Sequence, residues 1–232
     1  MEGIIVNLIC KFNFDDSAES KKNNLSKYDG IPGVWALRGK DKRADADEQE
    51  GKWICLQVGQ TQDIKIEIEK DIKDMEKSRK VITESKYVNY FGEAIFAYPK
   101  MRSGNSYLYK WIVDNYKGLE FILIKKEDNE NNRKIIEKLF ACITKAMGWR
   151  NGRSFWEDCY SEERCKNVKE EQEELERKLI QDKILSEEEI KGIKRIIKEQ
   201  FLTSENSKYH DYVEDIPSEY SDYKAFVKGT TK

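Results

Sequence analysis

The sequence predicts an α/β chain of the α+β kind: a small, mostly antiparallel central sheet flanked by helices, with a C-terminal helical extension. Three observations lead there. Short β-prone runs punctuated by glycine precede segments of helical apolar spacing. The first two internal strands are joined by a loop, and such a hairpin is antiparallel. Doubly wound nucleotide folds need a Gly-rich strand-to-helix turn, and the chain contains neither GxGxxG nor GxxxxGK[ST].

The elements follow in order. Gly3 to Phe14 is β-prone, and Asp15 to Asp29 is polar with loop character. Gly30-Ile31-Pro32-Gly33 breaks the chain before a short strand, Val34 to Arg38. A charged loop, GKDKRADADEQEGK, leads to a second strand, Trp53 to Val58, ended by Gly59. Strict alternation puts Trp53, Cys55 and Gln57 on one face of that strand and Ile54, Leu56 and Val58 on the other. Ile64, Ile68, Ile72 and Met75 fall at helical spacing, so a helix is expected from Asp63 to about Lys80. Tyr87 to Tyr98 reads as a strand or a connector, and Ser103 to Tyr116 as helical. Leu119 to Ile124 (LEFILI) suits a buried strand. Asn131 to Met147 is an amphipathic helix with Ile135, Ile136, Leu139, Phe140, Ile143 and Met147 on one side.

After Tyr160 the composition turns charge-dense. Glu162 to Leu185 and Ser186 to Leu202 read as a helical hairpin, the second helix opened by a Ser186–Glu189 capping box. The organisation is thus residues 1–160 as the main domain with an N-terminal strand, 161–202 as the hairpin, and 203–232 as a polar tail. The hairpin packs on the first domain or serves self-association, which makes a homo-oligomer through these helices one expectation.

Composition narrows the function classes. The chain has 232 residues, 38 % hydrophobic and 37 % charged, with 26 aromatic residues (5 Trp, 12 Tyr, 9 Phe) to build a core. No apolar run reaches the roughly 18 residues of a membrane span. The N-terminus has no secretory pattern. The five cysteines, Cys10, Cys55, Cys142, Cys159 and Cys165, form no CxxC pair, which suits a reducing cytoplasm and argues against a structural zinc site. The single histidine, His210, argues against a His-built metal site or a Ser–His–Asp triad. Lys plus Arg number 42 and Asp plus Glu 44, so contact with nucleic acid needs a local basic patch rather than a whole-protein field.

Gly33-Val34-Trp35 and Gln57-Val58-Gly59, followed by Gly59-Gln60-Thr61-Gln62-Asp63-Ile64, then by Glu137 in RKIIEKLFACITK and by Asn151, resemble in order the motifs of the GIY-YIG nuclease family. The resemblance covers about half of the chain, from Ile31 to Asn151. It implies hydrolysis of DNA phosphodiester bonds with Mg²⁺ or Mn²⁺; RNA stays open as a substrate. On it, Glu137 is the expected metal ligand, Lys65 the phosphate cation, and Trp35 with Gln57 the catalytic lining. A metal lowers the pKa of bound water, and a single carboxylate plus waters suffices for Mg²⁺.

Arg38, Arg43, Lys145, Arg150, Asn151 and Arg153 are the candidate nucleic-acid contacts. The chain departs from the family pattern at the chemistry. Trp35 and Gln57 replace tyrosines, and around Lys65, Ile66 and Glu67 only a lysine stands where an arginine is expected. The competing expectation is therefore a catalytically inactive nuclease-fold module that binds nucleic acid or a protein partner. Outside the family frame, Glu137 and Lys65 read as solvated helix charges, Trp35 as core, Gly59 as a turn residue and Asn151 as part of an Asn-Gly turn.

Overall fold

In the computed structural model, strand β2 (Gly33–Asp41) forms the spine of a four-stranded sheet with β1 (Asn7–Phe12), β3 (Ile54–Thr61) and β6 (Tyr116–Lys126). The order is β1-β6-β2-β3, and every neighbouring pair is antiparallel. The structure describes residues 7–12, 25–42, 53–79, 85–88, 94–97, 109, 112–113, 116–144, 146 and 162–201. The expected antiparallel α/β architecture is therefore what forms. A separate two-stranded pair, β4 (Ser85–Val88) and β5 (Ala94–Ala97), occupies part of the stretch left between strand and connector.

Both faces of the sheet are covered, which is why β6 reads as an unbroken apolar run. Its side chains alternate between two cores: Phe121 and Leu123 on one face, Ile122 and Ile124 on the other. The first core is closed by α1 (Ile64–Arg79), through Ile64, Ile68, Ile72 and Met75, and by the helical residues Tyr109, Ile112 and Val113. On this face Trp35 packs against Phe121, ring centroids 5.6 Å apart. A short 3-10 helix, Leu25–Tyr28, adds Leu25.

The second core is closed by α2 (Glu130–Thr144), through Ile136, Leu139 and Phe140, against Val34, Ala36, Cys55 and Val58. The C-terminal hairpin, α3 (Glu162–Gln181) and α4 (Glu187–Gln200), continues the same core with Leu179, Leu185, Ile190, Ile193 and Ile197. Its apolar stripe is thus turned inward onto α2, the packing alternative of the two read from the sequence. The capping box opens α4 as expected: the Ser186 hydroxyl accepts from the Glu189 N–H and the Glu189 carboxylate accepts from the Ser186 N–H. At the far end of α4, Phe201 makes a parallel bridge to Trp53, and the Trp53 N–H donates to the Gln200 carbonyl at 2.8 Å.

Candidate functional site

The two signature tripeptides lie side by side. Trp35 pairs with Gly59, Ala36 with Val58 and Leu37 with Gln57. The next pair is Arg38 with Cys55, so Leu56 is an extra residue on β3. This bulge overturns the strict alternation expected for the strand. Cys55 and Val58 face the α2 core, whereas Leu56 and Gln57 both turn to the α1 side. One inserted residue reverses the facing of everything beyond it.

Gln57 consequently enters a small buried polar cluster. Its amide nitrogen donates to the Tyr109 hydroxyl at 3.4 Å, a long bond. Tyr109 also bonds the carboxyl of Asp71 on α1, and both residues are 1 % exposed. Burial pushes the Asp71 carboxyl up to about 7, opposed by the Tyr109 bond and reinforced by neighbouring Glu67. Burial first, then the proximity of Asp71, holds the Tyr109 phenol well above its ordinary value. Three buried polar atoms on this side have no hydrogen-bond partner: Trp35 Nε1, Gln57 Oε1 and Asp71 Oδ2.

Glu137 stands elsewhere. It is 6 % exposed on α2, whose apolar residues pack on the sheet face opposite to Trp35 and Gln57. One turn before it, the fully buried Arg133 donates from Nε to Gln60 at 2.9 Å and from Nη1 to the Glu127 and Asp128 carbonyls, tying the end of β3 to the start of α2. The structure therefore brings Trp35 and Gln57 to one face and leaves Glu137 on the other. The donor set does not fit a hydrated Mg²⁺. That ion keeps several waters, and a carboxylate buried to this degree leaves little room for them. Among the described residues, no three His, Cys, Asp or Glu side chains converge as a metal cage.

The remaining candidates are bound within the protein. Lys65 pairs with Asp29 at 2.8 Å, and that hydrogen bond raises its pKa. Arg38 grips Glu120 through Nε at 3.0 Å and Nη2 at 2.7 Å, and donates to Gln200 at 2.9 Å while lying over the Trp53 ring. Its guanidinium is a structural clasp between β2, β6 and α4. Arg43, Lys145, Arg150, Asn151 and Arg153 lie outside the described residues, as do Met147 and His210.

Sequence reasoning passed over Asp71, Tyr109, Glu120 and Arg133. For Asp71 a signal existed. It occupies an apolar-phase position of α1, three residues after Ile68 and four before Met75, where a carboxyl is out of place. For Tyr109 and Glu120 no local pattern marks them, because their partners come from distant segments. No protein-family model, curated protein or solved structure matches the chain.

Proposed function

We propose that this chain is a GIY-YIG-like scaffold that binds without cutting, and that its partner is a protein rather than DNA or RNA. The observation that carries the reading is the separation of Trp35 and Gln57 from Glu137 by the thickness of the sheet. A one-metal nuclease needs its carboxylate, its water-positioning group and its phosphate cation within reach of one phosphate. Here Lys65 and Arg38 are paired with acids as well.

The described surface cations support a protein partner. Lys125 pairs with Glu189, Lys134 with Glu130, Lys138 with Glu171, Lys191 with Glu188 and Lys194 with Glu176. On α4, Lys191 and Lys194 are thus each paired with an acid, and a polyphosphate would have to break those pairs. We place the protein in the cytoplasm. That placement is supported by the buried free thiols of Cys10, Cys55 and Cys142 and by the lack, among the described residues, of any helix long and apolar enough to cross a membrane.

One observation favours the nuclease reading, the direct pairing of the GVW and QVG segments. A single experiment separates the two. The full chain is incubated with plasmid and Mg²⁺ or Mn²⁺ beside Glu137→Ala, and duplex binding is followed by fluorescence anisotropy at two salt concentrations. No cutting and no salt-steep binding is the expected result, with a protein recovered in a pull-down. Cutting by the parent chain that Glu137→Ala abolishes would overturn the proposal and restore the metal-dependent enzyme.

A further inference from the structure

We propose that Asp71 is a proton-operated latch that seats α1 on the sheet, closed when its carboxyl is protonated and loosened when it ionises. Asp71 is 1 % exposed on the inner side of α1, between Ile68 and Met75, which are fully buried. One carboxyl oxygen is bonded by the Tyr109 hydroxyl, and Tyr109 in turn receives the Gln57 amide of β3. The three side chains so join α1, the Tyr109 helical segment and the sheet at one point. The second oxygen, Oδ2, has no partner. A neutral acid tolerates that position, whereas a carboxylate there leaves a buried charge with a single hydrogen bond.

The groups around it favour the protonated form. On α1, Glu67 and Asp74 are one turn away on either side and repel a charge at Asp71, while the exposed Lys70 offsets part of that repulsion, its effect falling between those of the two acids. From β3 the facing group is an amide, Gln57, and from the Tyr109 segment a phenol that stays neutral well past its ordinary range. The 3-10 helix meets α1 where Lys65 and Asp29 neutralise each other. No described cation reaches Asp71 to hold its ionised form in place. The carboxyl then titrates near neutral pH, at about 7, within the range a cell experiences.

Amide hydrogen exchange on the full chain tests this, at about pH 6 and about pH 8.5, with intrinsic exchange rates corrected and α2 amides as the internal reference. The expected result is a loss of protection of at least about tenfold across residues 64–79 at the higher pH, with α2 unchanged. Asp71→Asn removes the difference, and Glu67→Gln moves its midpoint down. Equal protection of α1 at both pH values, or the same loss in Asp71→Asn, overturns the proposal. Should Asp71→Asn fail to fold, the carboxyl ¹³C shift of Asp71 in the parent chain decides. A midpoint near neutrality supports the latch, and one below about 4.5 rejects it.

Discussion

The indole of Trp35 fills the space above the α-carbon of Gly59, so that a Cβ on residue 59 would lie 2.5 Å from the ring's Cζ2 and 2.7 Å from Cε2. Trp35 is itself 1 % exposed and backed by Phe121, so the ring has nowhere to retreat. The glycine of the second tripeptide is there to admit the aromatic residue of the first.

Gly59→Ala is therefore expected to destabilise the protein by about 1–3 kcal/mol, the cost of overpacking a filled core. That outweighs the roughly 0.5–1 kcal/mol that replacing a strand glycine otherwise returns through backbone entropy. Trp35→Phe in the same chain should recover part of the loss. Urea denaturation of the two single variants and the double variant measures the coupling; strictly additive effects would refute the contact.

Arg38→Met should cost about 3 kcal/mol, because Glu120, 4 % exposed, would be left as a buried carboxylate. Lys11 still reaches its other oxygen at 3.1 Å from an exposed side chain, which keeps the loss at the lower end. Arg38→Lys should restore little, since a lysine lacks the fork that serves Glu120 and Gln200 together. Chemical denaturation midpoints rank the three proteins.

The pH dependence of stability should carry the signature of Asp71. Its carboxyl is raised in the folded protein from 3.8 to about 7, so the native state holds the proton more tightly than the unfolded chain. The contribution is fully present below pH 4, declines as pH rises through 7, and is then gone. The parent chain is expected to lose up to roughly 4 kcal/mol relative to Asp71→Asn across that window. Thermal melts of both proteins from acidic to alkaline pH supply the difference curve. A curve without slope between pH 4 and 7 contradicts the assignment.

Ser186→Ala removes one half of the capping box and should cost about 1 kcal/mol. Glu189 loses both contacts to the Ser186 hydroxyl, from its N–H and to its carboxylate, but its carboxylate keeps the backbone N–H of residue 186 at 2.8 Å and Lys125 at 2.9 Å. Circular dichroism melts report the loss, which should be confined to stability and leave binding unchanged.

The local elements were open to reading before any coordinates. The GVW and QVG strands, the apolar stripes of α1 and α2, the buried LEFILI strand and the Ser186 cap all depend on spacings of four residues or fewer. Backbone sterics and hydrophobic period act over that range, so residue order alone specifies them. The candidate site was legible only as a set of positions. Its facing failed at Leu56, because a bulge answers to the fit of β3 against β2 and not to the composition of β3.

Partners that meet across the fold follow the same logic. Arg38 finds Glu120, 82 residues on, and Gln200, 162 residues on, and Gln57 finds Tyr109, 52 residues on. Asp71 acquires its altered acidity only once α1 closes over the sheet and water leaves it. Chain order settles which segments become strands and helices. The face on which each side chain emerges, and which charge it meets there, is settled by register and burial, which exist only in the assembled molecule.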